Sequence, residues 1–348
     1  MKTAARKRRK KIFALYANLS ELAPTGGDRI NELATLRWMS SVGDVYYNGV
    51  YFDPAMNTAG DSLRPVALPD ENWDLVYIRS NPVILDEANR RNLTTLYLSM
   101  YDGDVAASMK KDAPIYQKVD HVAVMTRAMD DLYKRSLAEM GVNISTVLLE
   151  QPGRADFSPR RNEPLTRTFR RQWGDGFIIG FFGRIDQAAM PKSFLNVRHL
   201  ARHYLPDVRI VFGGRIARNF TIPDDLVVLD RYIPGDHMAN ALSACDMTLG
   251  VEQPHADWAG SNRALDCVRC DTPLLTRPYA ARVEQLGKDY PFFFETSQDL
   301  LDLIIRWRSS AEFRDEFYAY NEALKPRLSG PQISARNAER LRTSLGWG

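Results

Sequence analysis

Short runs of apolar residues recur along the chain, and most are followed by a stretch whose apolar positions return every three or four residues. Unbroken apolar runs suit strands buried on both faces, and their alternation with amphipathic helices predicts parallel sheets with crossover helices. In the first half, strands are predicted at 12–17, 44–47, 75–78, 94–98, 121–125 and 145–149, with helices at 28–41, 82–91 and 127–140. A polar, Arg-rich stretch from 158 to 176, with Pro159 and Pro164 inside it, interrupts the pattern and reads as a linker. Strands resume at 177–182, 208–212, 226–229, 247–251 and 273–275, with a weak one at 292–294. Helices are expected at 191–204, 237–244, 261–270, 281–287, 297–309 and from 311 onward.

This order describes two Rossmann-like halves followed by a helical tail. In such open sheets ligands bind beyond the carboxyl ends of the strands, so the residues just after each strand carry the functional information. A chain of 348 residues fits two domains. Its 45% hydrophobic and 26% charged composition excludes a disordered or fibrous protein. No run approaches the roughly 20 apolar residues of a membrane span. Cys245, Cys267 and Cys270 are the only cysteines, an odd count that cannot close a disulfide framework, so a reducing, cytoplasmic location is expected.

The net charge of +3 hides an asymmetry: Lys2 and the run from Arg6 to Lys11 carry seven positive charges, leaving the rest at −4. Residues 2–11 therefore read either as a solvated terminus or as a basic arm for an anionic membrane surface. No specific nucleic-acid binding is expected.

Phosphate loops of the Gly-x4-Gly-Lys type, His-Glu-x2-His and Gly-x-Ser-x-Gly are absent. Gly174, Gly176 and Gly180 enter a strand rather than leave one, which fails the dinucleotide fingerprint. Cys267 and Cys270 lack the second pair of a zinc site and read as small buried residues. Asp102 and Asp104 follow a strand and offer hard oxygens to a divalent cation, although a polar turn explains them too. Gly26 and Gly27, ahead of the first helix, allow close backbone approach to an anion, or make an ordinary turn capped by Asp28. Arg184 and Lys192 flank one strand-to-helix loop, where two cations can neutralise a leaving pyrophosphate. From Asp257 a polar loop leads to a helix opening at Ser261 and Asn262, with Asp266 one turn inside, placed for phosphate and ribose or simply capping a helix.

Taken in order, Thr25-Gly26-Gly27, the stretch from Leu149 to Pro159, Ile178 to Ile185 with Lys192, Ala244-Cys245-Asp246, Ser261 to Asp266 and Asp271 to Leu275 resemble the retaining nucleotide-sugar glycosyltransferase family of the GT-B fold. That family includes many bacterial polysaccharide and lipopolysaccharide transferases. The resemblance implies an α/β protein of two Rossmann-like domains facing a cleft. It divides the chain into an acceptor domain at 1–160, a linker at 161–176, a donor domain at 177–310, and helices at 311–348 crossing back to the first domain.

The activity it implies is transfer from a nucleoside-diphosphate sugar to an acceptor hydroxyl of a glycan, lipid-linked or other molecule. Retention is expected, with no cofactor or metal. Arg184 and Lys192 would stabilise the leaving diphosphate. Donor contacts would come from Gly26, Gly27, Gly183, Tyr232, Ile233, Ser261, Asn262, Arg263 and Asp266, with Tyr101, Asp102 and Asp257 on the acceptor or sugar side. Of the family's paired glutamates, Asp266 stands for the second, while Trp258 occupies the place of the first and Asp257 lies one residue off. Two alternatives remain at this level: a non-catalytic nucleotide-binding module, and a metal-dependent enzyme built on Asp102 and Asp104.

Overall fold

The computed structural model describes residues 8–16, 27–56, 67–79, 82–99, 105–154, 157–174, 176–183, 192–214, 216–217, 221, 226–229, 233–252 and 257–347. They divide into two compact units: residues 1–152 with 333–348, and residues 153–332.

Unit 1 is built on a sheet ordered β3-β2-β1-β4-β5-β6-β7 among the described residues. These strands are β1 (Lys10–Leu15), β2 (Gly43–Tyr47), β3 (Val50–Tyr51), β4 (Leu75–Arg79), β5 (Thr95–Leu98), β6 (His121–Val124) and β7 (Ser145–Leu148). All neighbours pair in parallel except β2 and β3, a short antiparallel hairpin that the apolar pattern had not signalled. Every residue of β4 is buried, as expected for a strand covered on both faces. The helices are α1 (Gly27–Met39), α2 (Leu85–Arg90), α3 (Val105–Tyr116) and α4 (Arg127–Glu139). The core joins Ile12, Val45, Leu75 and Leu96 to Leu36 and Met39 of α1, and to Ala338 and Leu341 from the end of the chain.

Among the described residues, unit 2 carries a five-stranded, all-parallel sheet ordered β10-β9-β8-β11-β12. Its strands are β8 (Phe177–Phe182), β9 (Val208–Gly213), β10 (Val227–Leu229), β11 (Met247–Leu249) and β12 (Leu274–Leu275). The stretch expected as a last strand forms only an isolated bridge between Thr276 and Phe293. Around the sheet lie α5 (Pro164–Trp173), α6 (Lys192–Tyr204), α7 (Met238–Ser243), α8 (Asn262–Arg269), α9 (Ala280–Leu286), α10 (Ser297–Ser309) and α11 (Ala311–Leu324). The last helix, α12 (Gly330–Ser344), counts with unit 1 from Ile333 on.

Three expectations change. The stretch read as a linker contains α5, started by Pro164 at its first turn and anchored by buried Thr166 and Trp173. Arg170 of α5 reaches Asp246 at 3.2 Å and the carbonyls of Ala244 and Gly176, so the basic stretch belongs to unit 2. Of the final helices, α11 also belongs to unit 2. The basic arm is shorter than expected, because β1 starts at Lys10 and three of its cations are paired within unit 1. Arg9 meets Asp44 at 3.1 Å, Lys10 meets Asp74 at 3.1 Å and Lys11 meets Glu71 at 2.7 Å.

Candidate functional site

The order of the unit 2 sheet reverses between β8 and β11, and ligands favour the crevice at the carboxyl end of such a switch point. Here β8 ends at Phe182 and runs into Gly183. Gly214, at φ +153°, lies so close that a Cβ on it would come 1.6 Å from the Gly183 carbonyl oxygen, so only glycine lets the two backbones meet. Lys192 opens α6 and is exposed; Ser193 beside it is buried.

The neighbouring strand contributes an acid. Glu252, three residues past the end of β11, accepts a hydrogen bond from the Ser193 hydroxyl at Oε2 (3.2 Å), and Arg277 stands 3.6 Å from that same oxygen. Arg277 also donates to the Ser193 hydroxyl (2.6 Å) and to the Glu295 carbonyl (2.7 Å). The Glu252 side chain is 9% exposed, and its other oxygen, Oε1, is buried without a hydrogen-bond partner among the described residues. A buried carboxylate oxygen without a donor is costly and is a natural acceptor for a ligand hydroxyl.

The start of α8 forms the next wall. Ser261 is its cap: the side-chain oxygen accepts from the Ala264 N–H (3.2 Å). The backbone N–H of Ser261 donates to Gln285 Oε1 (2.9 Å), while Arg282 donates to Ala259 O (3.0 Å) and to Gln285 Oε1 (3.1 Å). Asp257 Oδ1 accepts from the N–H of Ala280 (3.0 Å), so α9 holds both ends of the loop before α8. Arg263, in the first turn of α8, donates to the Phe182 carbonyl, with its guanidinium 5.6 Å from the centre of the Phe182 ring. That contact ties α8 to the carboxyl end of β8.

Of the residues singled out from sequence, Gly183, Ser261, Asn262 and Arg263 come together along this edge, and Lys192 stands next to the Ser193 and Glu252 cluster. Asn262 contributes a buried Oδ1 that has no partner among the described residues. Ile233 is buried near Gly213. Asp266 is only 4% exposed. Gly27 is the first residue of α1 in unit 1. Gly26, Tyr101, Asp102, Asp104, Arg184 and Tyr232 lie outside the described residues. Glu252, Ser193, Arg277, Arg282 and Gln285 were missed. The one signal available for Glu252 and Arg277 was their place just after a strand.

No family model matches the sequence, and none of the curated proteins searched matches it. Its three-dimensional likenesses are extensive. HepE of Anabaena, crystallised with UDP and glucose, superposes with a TM-score of 0.72 at 13% identity, covering 96% of this chain and 100% of that one. Trehalose-6-phosphate synthase of E. coli, bound with UDP-2-fluoro glucose, gives 0.69 at 9% identity, covering 97% and 99%. The Burkholderia multivorans α,α-trehalose-6-phosphate synthase gives 0.59 at 10% identity, covering 79% and 72%.

The fold is GT-B. In this GT-B chain the order of the unit 2 sheet, rather than any one motif, locates the candidate site.

Proposed function

We propose that this protein is a glycosyltransferase that moves a sugar from a nucleoside-diphosphate sugar to an acceptor hydroxyl, with retention of configuration and without a metal. One observation carries the reading: in a GT-B fold, the carboxyl edge of unit 2 joins a capped helix start, an exposed lysine and a buried carboxylate oxygen without a partner among the described residues. Two of the structural neighbours named above were crystallised with donor-type ligands: HepE with UDP and glucose or with UDP-glucose, and the E. coli protein with UDP-2-fluoro glucose.

In this reading Arg184 and Lys192 stabilise the negative charge that grows on the diphosphate as the bond to the sugar breaks. Gly183 leaves room for the phosphates, and the N–H groups at Ser261 and Asn262 receive them, with Arg263 fixing that helix against β8. Gly26 and Gly27 are further donor contacts, Tyr232 and Ile233 meet the base, and Asp266 accepts ribose hydroxyls. Tyr101 and Asp102 face the acceptor. Glu252 takes over the sugar-side role first given to Asp257, because Asp257 is engaged with the start of α9 whereas Oε1 of Glu252 has no partner among the described residues. The acceptor is a glycan, lipid-linked or other hydroxyl compound. Residues 2–8 bring the enzyme to an anionic membrane surface, since Arg9, Lys10 and Lys11 are paired within the fold.

A thermal-shift screen of ADP, GDP, CDP, UDP and dTDP with their sugars tests the donor class: a ligand at 100 times its Kd adds about 2.7 kcal/mol of stability. At least one nucleotide should do so in the presence of chelator, and Lys192→Ala should weaken it. No shift with any of them would reject the reading. For turnover, Glu252→Gln should lower kcat more than donor affinity, and the anomeric configuration of the product by NMR decides between retention and inversion.

A further inference from the structure

Arg282 of α9 is 4% exposed, and among the described residues each hydrogen bond it makes goes to a neutral acceptor, the Ala259 carbonyl or Gln285 Oε1. The same Gln285 oxygen receives the Ser261 N–H, so the guanidinium sits directly behind the turn that opens α8. The acids of this edge are occupied elsewhere: Asp257 with the Ala280 N–H, Glu252 with Ser193 and Arg277. Burial pulls the Arg282 pKa down to about 10, which still leaves it charged at neutral pH.

A buried charge without a counter-charge destabilises a fold, and Arg282 has no carboxylate bonded to it among the described residues while it stands behind a helix start that is itself electropositive. A structural pin for the loop would not need the charge. A neutral side chain could donate to the same two acceptors, at no electrostatic cost in the free protein. An anion arriving outside the Ser261 turn would relieve both positive sources at once.

We propose that Arg282 is a positioning residue whose counter-charge is the diphosphate of the donor: it never touches the ligand, but its charge selects for the anionic part. This rests on the reading of unit 2 as the donor side. It predicts that Arg282 governs how much more tightly a nucleoside diphosphate binds than the bare nucleoside.

Isothermal titration of the full chain with ADP, GDP, CDP, UDP and dTDP, and with the matching nucleosides, measures that ratio. For the nucleotide that wild type binds best, the ratio should fall by about tenfold in Arg282→Met and in Arg282→Gln, and by much less in Arg282→Lys. The Gln variant keeps a donor for the loop, so it guards against a Met variant that fails to fold. An unchanged ratio in the neutral variants, or equal losses for diphosphate and nucleoside, would overturn the proposal and leave Arg282 as a loop pin. Binding of none of the five by wild type would overturn the donor reading itself, and this inference with it.

Discussion

Glu150 and Arg336 meet in a two-pronged ion pair, with Nε 3.1 Å from Oε1 and Nη2 2.9 Å from Oε2. Arg340 adds a 2.7 Å bond to Oε1, and Asn337 takes the backbone of Glu150 from both sides. Residues 186 to 190 positions later thus clamp the chain as it leaves β7, which ties the end of the sequence into unit 1.

This clamp makes stability depend on pH. Burial works to raise the Glu150 pKa, but the hydrogen bond and charge of Arg336, and then those of Arg340, hold it below the ordinary 4.5. A depressed folded-state pKa means the contribution is complete above the unfolded value and disappears as pH falls through the folded one. Glu150→Gln should cost about 1.5–3 kcal/mol at pH 7. The gap between the two proteins in urea unfolding should close below pH 4.5. A constant gap from pH 7 to pH 3 would show that the charge of Glu150 plays no part.

A deeper pair lies in the same unit. Arg79, the last residue of β4, meets Glu32 of α1 at 2.6 Å, and their side chains are 2% and 0% exposed. The guanidinium also lies 4.6 Å from the centre of the Tyr16 ring. Glu32→Gln would remove the carboxylate charge that faces a buried cation and should cost about 3–5 kcal/mol, whereas a joint change to Glu32→Leu and Arg79→Met should recover much of that loss. Chemical denaturation of the three proteins checks this, and a double variant as unstable as Glu32→Gln would contradict it.

The three cysteines should be inert in the folded protein. Burial pushes all three thiols up, that of Cys267 to about 12, so almost no thiolate exists near neutral pH. Alkylation by iodoacetamide at pH 7.5 should modify none of them in the native chain and all three in denaturant, as counted by mass spectrometry. Rapid labelling of any one in the native state would mark a local opening of unit 2.

Much of this architecture could be read along the chain for a simple physical reason. A strand buried on both faces must be apolar throughout, so the stretch from Phe177 to Phe182 announces itself, and all six of its residues are buried. Helix α3 escaped notice because Pro114 in its last turn blurs the periodicity, and α5 was hidden by arginines whose partners, such as Asp246, lie far along the sequence. The pairing within the basic start of the chain was hidden for the same reason, since Asp44, Asp74 and Glu71 meet Arg9, Lys10 and Lys11 only once the sheet has formed.

The candidate site divides in the same way. The capped start of α8 is a local pattern, so Ser261, Asn262 and Arg263 could be named in advance. Glu252, Ser193 and Arg277 could not: they follow β11, open α6 and follow β12, and only the strand order β8-β11-β12 makes them neighbours. Sequence by itself determined most of the strands and helices, because hydrophobic period and capping act over a few residues. Which charges meet, and which is left buried without a partner, was decided by the tertiary structure, because electrostatic pairing depends on distance in space.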